Sequence, residues 1–182
     1  MQALDLLLNR SSYNKLICPA PEGEQLTQIL KAGMRAPDHG NLSPWQFIVF
    51  KDKGLNDLGE IYAEAAEQDA LSADKIEKAK NMPSRAPLVI AVIAKVQAEH
   101  KIPEIEQVIA AGCCVQAMQM AAVAQGFQGI WRTGAYAYHP HVKKQFKLAE
   151  QDLIVGYLYL GTAENEAPIK PEKDLSAHLQ YW

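Results

Sequence analysis

Hydrophobic positions along the chain alternate between helical and strand spacing. Leu4, Leu6, Leu7 and Leu8 make Met1 to Asn9 a short apolar helix, and Leu26, Ile29, Leu30 and Met34 share one face of a helix over Glu24 to Met34. Trp45 to Phe50 is aromatic and β-branched, which predicts a strand, and Lys51 to Gly54 reads as a charged turn. Leu55, Leu58, Ile61, Tyr62, Ala65 and Ala66 return to helical spacing, and a more polar helical piece runs from Ser72 to about Asn81. Tyr62 reads as a packing residue with its hydroxyl in water, with a pocket lining as the alternative. Leu88 to Ala94 is continuously apolar and predicts a central strand covered on both faces.

The longest helix follows. Pro103 suits a first helical position, Glu104 and Glu106 suit the first turn, and Gly126 stops the helix after Gln125. From Val108 to Ala124 it is nearly uncharged, which predicts burial on every side, made easier if a second subunit supplies one wall. Phe127 to Thr133 reads as a strand. His139-Pro140 opens a short helix on which His139 and His141 point in different directions, so a solvated helix start is favoured over a metal pair. Asp152 to Gly161 reads as the last strand, with Leu153, Val155, Tyr157 and Tyr159 on one face and Ile154, Leu158 and Leu160 on the other. Beyond Ala163 periodicity fades, and the tail (about 163–182) ends in Leu179, Tyr181 and Trp182, which predicts docking on a subunit surface. The order of elements predicts an α+β fold: one domain over 1–182, a mixed sheet flanked by helices, and a long buried central helix.

Composition narrows the partners. At 182 residues with 48% hydrophobic and 21% charged positions, the chain has room for one real core. A net charge of −3 with no basic stripe argues against nucleic acid. No membrane span and no export signal are expected. Cys18, Cys113 and Cys114 form no disulfide framework, which suits a reducing cytoplasm.

Three stretches carry candidate chemistry. Arg35 to Phe47 joins a helix to a strand, and Pro37 and Pro44 shape it so that Arg35, Asp38, His39 and Asn41 can present hydrogen-bonding groups; an ordinary connection with a core tryptophan is the equal alternative. Arg10-Ser11-Ser12 follows the first helix. It offers a guanidinium and two hydroxyls to a phosphate, or simply a solvated helix end. Trp131-Arg132-Thr133 sets an aromatic ring, a cation and a hydroxyl at a strand end, which suits an aromatic, phosphorylated ligand.

Pro37, Asn41, Pro44, Trp45 and Phe47 match, in order and spacing, a loop of the nitroreductase family that reads Pro-Ser-x-x-Asn-x-Gln-Pro-Trp-x-Phe. Asp38 replaces the family's Ser and Ser43 its Gln. Arg10 and Ser12 resemble the family's opening Arg-Arg-Ser, with Ser11 in place of the second arginine. The late segment Val155-Gly156-Tyr157-Leu158-Tyr159-Leu160-Gly161 is also similar. The resemblance covers nearly the whole chain and is closest to short bacterial NAD(P)H nitroreductases. It implies FMN bound noncovalently at a homodimer interface, NADH or NADPH as hydride donor, and a small electron-poor acceptor such as a nitroaromatic or quinone, by a ping-pong mechanism at the flavin with no catalytic side chain. It implies that Arg10, Trp131, Arg132 and Thr133 meet the cofactor from one subunit and Arg35 and His39 from the other, with Ser11, Ser12 and Asn41 also among the cofactor-binding residues. Lys170 and Lys173 match no phosphate-binding motif of larger relatives. A flavin carrier or sensor, or a related flavoenzyme with another acceptor, stays open.

Overall fold

The computed structural model describes residues 2–165, 171 and 173–182. In chain order it runs α1 (Ala3–Asn9), β1 (Leu16–Ile17), α2 (Gly23–Gly33), β2 (Trp45–Lys51), α3 (Lys53–Gln68), α4 (Ala73–Lys80), β3 (Leu88–Ala94), α5 (Glu104–Ala124), β4 (Gln128–Arg132), α6 (Ala135–Tyr138), α7 (Pro140–Gln145) and β5 (Leu153–Ala163). The turn expected over Lys51 to Gly54 contracts to Asp52, which takes a left-handed φ of 50° between β2 and α3.

The main strands lie in the order β2-β3-β5-β4, and β1 pairs with the end of β5. The α+β class stands, but every described pairing is antiparallel, so the sheet is not mixed. The reason is the route of the connections. The α3–α4 excursion returns the chain to the end where it left, so Lys51 at the close of β2 pairs with Leu88 at the start of β3. The excursion through α6 and α7 does the same between β4 and β5, which needs no crossover.

β3 is buried at all its positions, as a strand covered on both sides should be. One cover is α2 and α5, packed on Leu88, Ile90, Val92, Leu158 and Leu160. The other is α3, α4, α6 and α7, packed on Val89, Ala91, Ile93, Tyr157 and Tyr159. The strict alternation expected along β5 fails at one point. Val92 pairs with Gly156 and Ile93 with Ile154, leaving Val155 as an extra residue in a bulge. Val155 therefore joins the α5 face and Ile154 the α3 face, the reverse of the expected assignment.

α5 departs from expectation on one side. It packs on α2 so closely that a methyl group added at Gly33 would meet Met118 Cγ at 2.9 Å. Its opposite stripe is open: Ile105 is 63% and Ile109 58% exposed. By length and composition α5 reaches a membrane-spanning size, contrary to expectation, yet half of that window is buried within the protein. Leu4, Leu7 and Leu8 of α1, which packs on α5, are exposed, and elsewhere so are Leu175, Leu179, Tyr181 and Trp182 of the tail. The tail does not dock on its own chain within 173–182. Lys170 lies outside the described residues, and Lys173 is exposed.

Candidate functional site

The loop after α2 is shaped by its own residues. Asn41 (φ 54°) and Ser43 (φ 49°) adopt left-handed backbone, and Asp38 Oδ2 accepts the Ser43 backbone N–H at 2.6 Å. Asp38 thus staples the loop across the two positions where it differs from the usual motif. Trp45 is 9% exposed and donates Nε1–H to Met34 Sδ at 3.0 Å, anchoring the loop's exit. Met34, Arg35, Ala36, Asp38, Asn41, Ser43 and Trp45 line a cavity of about 200 Å³. His39 is turned away from it and meets Glu106 of α5, Nδ1 to Oε2 at 2.5 Å. Gly40 (φ 75°) lets the loop lie on Ile102, where a side chain would collide.

A second polar cluster follows α1. Arg10 Nη1 donates to Ser12 Oγ at 3.2 Å, and Arg10 forms no ion pair among the described residues. Arg10, Ser11 and Tyr13 line a cavity of about 200 Å³ with Val123 at the far end of α5 and Gln128 at the start of β4. Tyr13 donates its backbone N–H to the Gly129 carbonyl at 3.3 Å, which ties this loop to β4.

Trp131 and Arg132 are neighbours in β4 and point to opposite faces of the sheet, as strand geometry requires. The Trp131 ring lies 3.6 Å from where a Gly112 methyl would sit on α5, and its Nε1–H donates to the Val155 carbonyl at 3.3 Å. A side chain at Gly156 would strike this indole, so the bulge glycine makes room for it. The Arg132 guanidinium sits instead over the Tyr159 ring, 5.7 Å from its centroid. Its Nη2 donates to the carbonyl O and Oδ1 of Asn14, each at 3.3 Å. Burial, then the nearby Arg85 charge, holds the Arg132 pKa below its ordinary value. Thr133 is exposed just beyond the strand.

One chain therefore sets Arg10, Ser11 and Ser12 beside the start of β4, Trp131 further along that strand on its α5 face, and Thr133 past its end in the cavity beside Arg132. Arg35 and Asn41 lie separately, beyond the other end of α5. Glu106, which holds His39, and Val123, which flanks Arg10, are about five turns apart, roughly 26 Å along α5. Between the two clusters runs the open apolar stripe of the helix. Glu106, Asn14 and Arg85 were not singled out from the sequence as site residues. Each is an ordinary charged or amide residue in its own segment, and only the fold brings it to its partner.

Two further expectations change. Tyr62 is 2% exposed with its hydroxyl buried against that of Tyr157, so that hydroxyl is not in water. His139 and His141 are not a solvated helix start. Their side chains are mostly buried and reach α3: His139 Nε2 meets Asp69 at 3.3 Å and His141 Nε2 meets Glu64 at 2.7 Å. No group of three metal-ligating side chains occurs among the described residues.

The Nitroreductase family model matches residues 9–162 of the chain. A protein of Escherichia coli (strain K12) named "Putative NAD(P)H nitroreductase YdjA" is 54% identical over 171 residues, covering 92% of this chain and 91% of that one. A "Putative NAD(P)H nitroreductase" of Haemophilus influenzae is 40% identical over 184 residues, covering 98% of this chain and 100% of its own. Among solved structures, a nitroreductase-like family protein from Bacillus cereus superposes with a TM-score of 0.88 at 20% identity, covering 100% of this chain and 96% of that one.

Proposed function

The chain belongs to the nitroreductase family, and on that footing we propose that it is an oxidoreductase holding FMN between two copies of itself. In this reading it moves hydride from NADH or NADPH to a small electron-poor organic acceptor, such as a nitroaromatic or a quinone. The observation that carries the proposal is the placing of two polar clusters at opposite ends of an open apolar helix face. A two-fold interface through α5 with the helices antiparallel would bring the Arg10 end of one copy to the Arg35 end of the other. The same interface would cover Ile105, Ile109 and the α1 leucines, which are exposed on the single chain.

The residues fit the cofactor. Arg10, free of any carboxylate partner among the described residues, and the Ser11 and Ser12 hydroxyls suit its phosphate. Trp131 offers its ring from the α5 face of β4, Thr133 lines instead the cavity beside Arg132, and Arg35, His39 and Asn41 would arrive from the partner copy. Arg132 contributes through Asn14, holding the loop that follows Ser12, while its guanidinium faces the other side of the sheet. FMN, when bound, accepts the hydride and returns the electrons to the acceptor. The chain's own tasks are then to bind the phosphate, hydrogen-bond the ring edge and exclude water with the apolar α5 face. Donor and acceptor would use the site in turn, a ping-pong order, and no side chain is required as nucleophile or general acid. Free cysteines Cys18, Cys113 and Cys114 suit the cytoplasm as its location.

The test is anaerobic mixing of the purified protein with NADH or NADPH. A yellow protein that bleaches and recovers its colour on adding a nitroaromatic supports the reading. A colourless protein that does not bind added FMN removes it, and a yellow one that never bleaches makes it a flavin carrier or sensor.

A further inference from the structure

On the sheet face opposite α5, Tyr62, Met82, Arg85, Arg132, Thr133, Tyr136, Tyr157 and Tyr159 surround a cavity of about 120 Å³. Two features set it apart from an ordinary gap between α3, α6 and the sheet. It is lined by two guanidinium groups with no carboxylate against them: neither Arg85 nor Arg132 forms an ion pair among the described residues. Donors are left over, since Arg132 uses Nη2 for Asn14 and its Nε is buried without a partner. Tyr62 is 2% exposed, and its buried hydroxyl lies against that of Tyr157. A buried donor without a partner costs free energy that a bound acceptor would relieve. Like charges brought together are similarly relieved by an anion.

The walls are aromatic. Tyr62 and Tyr136 stack with ring centroids 4.5 Å apart, Tyr157 meets Tyr62 edge-on at 5.6 Å, and Arg132 lies over Tyr159. All four hydroxyls are raised above their usual range, first by burial, so the walls stay neutral and do not repel an anion.

We propose that this cavity binds a small aromatic carboxylate, with Arg85 and Arg132 taking the carboxylate and the tyrosine rings taking the ring. Bidentate guanidinium–carboxylate pairing supplies orientation, and the stacked rings select a flat body over an aliphatic one. The site stands apart from the flavin reading: it needs neither the second copy nor the α5 face.

The experiment is calorimetric titration of the purified protein, as isolated and with excess FMN, using benzoate at constant ionic strength. Benzoate should bind once per chain, with or without FMN. Neutral benzamide, acetate and inorganic phosphate should bind at least tenfold more weakly. Arg85→Gln should lower benzoate affinity about tenfold, and Arg85→Lys should recover part of it, with thermal melting checking that both variants fold. No heat from benzoate overturns the proposal, as does undiminished binding to a folded Arg85→Gln. Equal binding of benzamide or phosphate overturns the assigned ligand class. Displacement of benzoate by FMN would make the cavity part of the flavin site and overturn its independence. A protein that never binds FMN leaves the benzoate arms unaffected.

Discussion

His39 and Glu106 join the loop after α2 to the first turn of α5, with Nδ1 and Oε2 2.5 Å apart. The contact spans 67 positions in sequence and leaves the other ring nitrogen of His39 without a partner among the described residues. Both side chains are well exposed, so the pair adds little to folding, on the order of 0–1 kcal/mol. Its value is orientation. Glu106→Gln should therefore leave the melting temperature nearly unchanged while weakening FMN binding severalfold. Fluorescence titration with FMN and a melting curve check both halves; a large loss of stability would make Glu106 a structural residue.

Arg10 carries the phosphate in the proposed site. Arg10→Ala should remove a charge-assisted bond worth about 1.5–3 kcal/mol, and lower FMN affinity roughly tenfold or more. Riboflavin, which lacks the phosphate, should bind as before. Parallel titrations with the two flavins measure the difference.

The composite site predicts complementation. Arg10→Ala and Arg35→Ala homodimers should each bind FMN poorly. Co-expressed as a heterodimer, they place both lesions in one site and leave the other whole, so about one FMN per dimer should return. Flavin absorbance against protein concentration in the purified heterodimer reads this directly. A monomer by sedimentation, or no recovery, would remove the shared site.

Gly156 has φ 154° and abuts the Trp131 indole, and a side chain there would also approach the Arg132 carbonyl to 2.7 Å. Gly156→Ala should cost roughly 1–3 kcal/mol through strain and displaced packing. Chemical denaturation measures the loss. The tryptophan emission difference between the two proteins reports whether Trp131 has moved.

Burial pushes the Cys114 thiol up to about 12 and the Tyr159 hydroxyl up to about 12. Both groups hold their proton in the folded chain after the unfolded chain has released it. Their contribution is full below the unfolded values, near 9 for the thiol and 10 for the phenol, and is lost as pH rises towards 12. Stability should fall steadily above about pH 9. Tyrosine ionisation followed by ultraviolet absorbance should lag until unfolding. Cys114 should resist alkylation at pH 8 while exposed Cys18 reacts.

Local periodicity was enough to place nearly every helix and strand, because helical spacing and β-branched runs act over a few neighbouring residues. β3 and α5 were legible for that reason, as was the proline-shaped loop around Trp45. The α5 surface was not, because a uniformly apolar helix cannot say which side its own chain covers; packing on α2 and the sheet left Ile105 and Ile109 open. The faces of β5 were misread on the N-terminal side of Gly156, because the bulge at Val155 depends on the register with β3 rather than on β5 alone. Arg10, Arg35, His39 and Trp131 could be chosen as residue types with suitable chemistry. Their partners could not, since Asn14 and Arg132 lie 118 positions apart and His39 and Glu106 67. The roughly 26 Å between the two clusters is likewise a property of the packed α5. Contacts at such range are decided by how whole elements bury their apolar faces, which no short stretch of sequence encodes by itself.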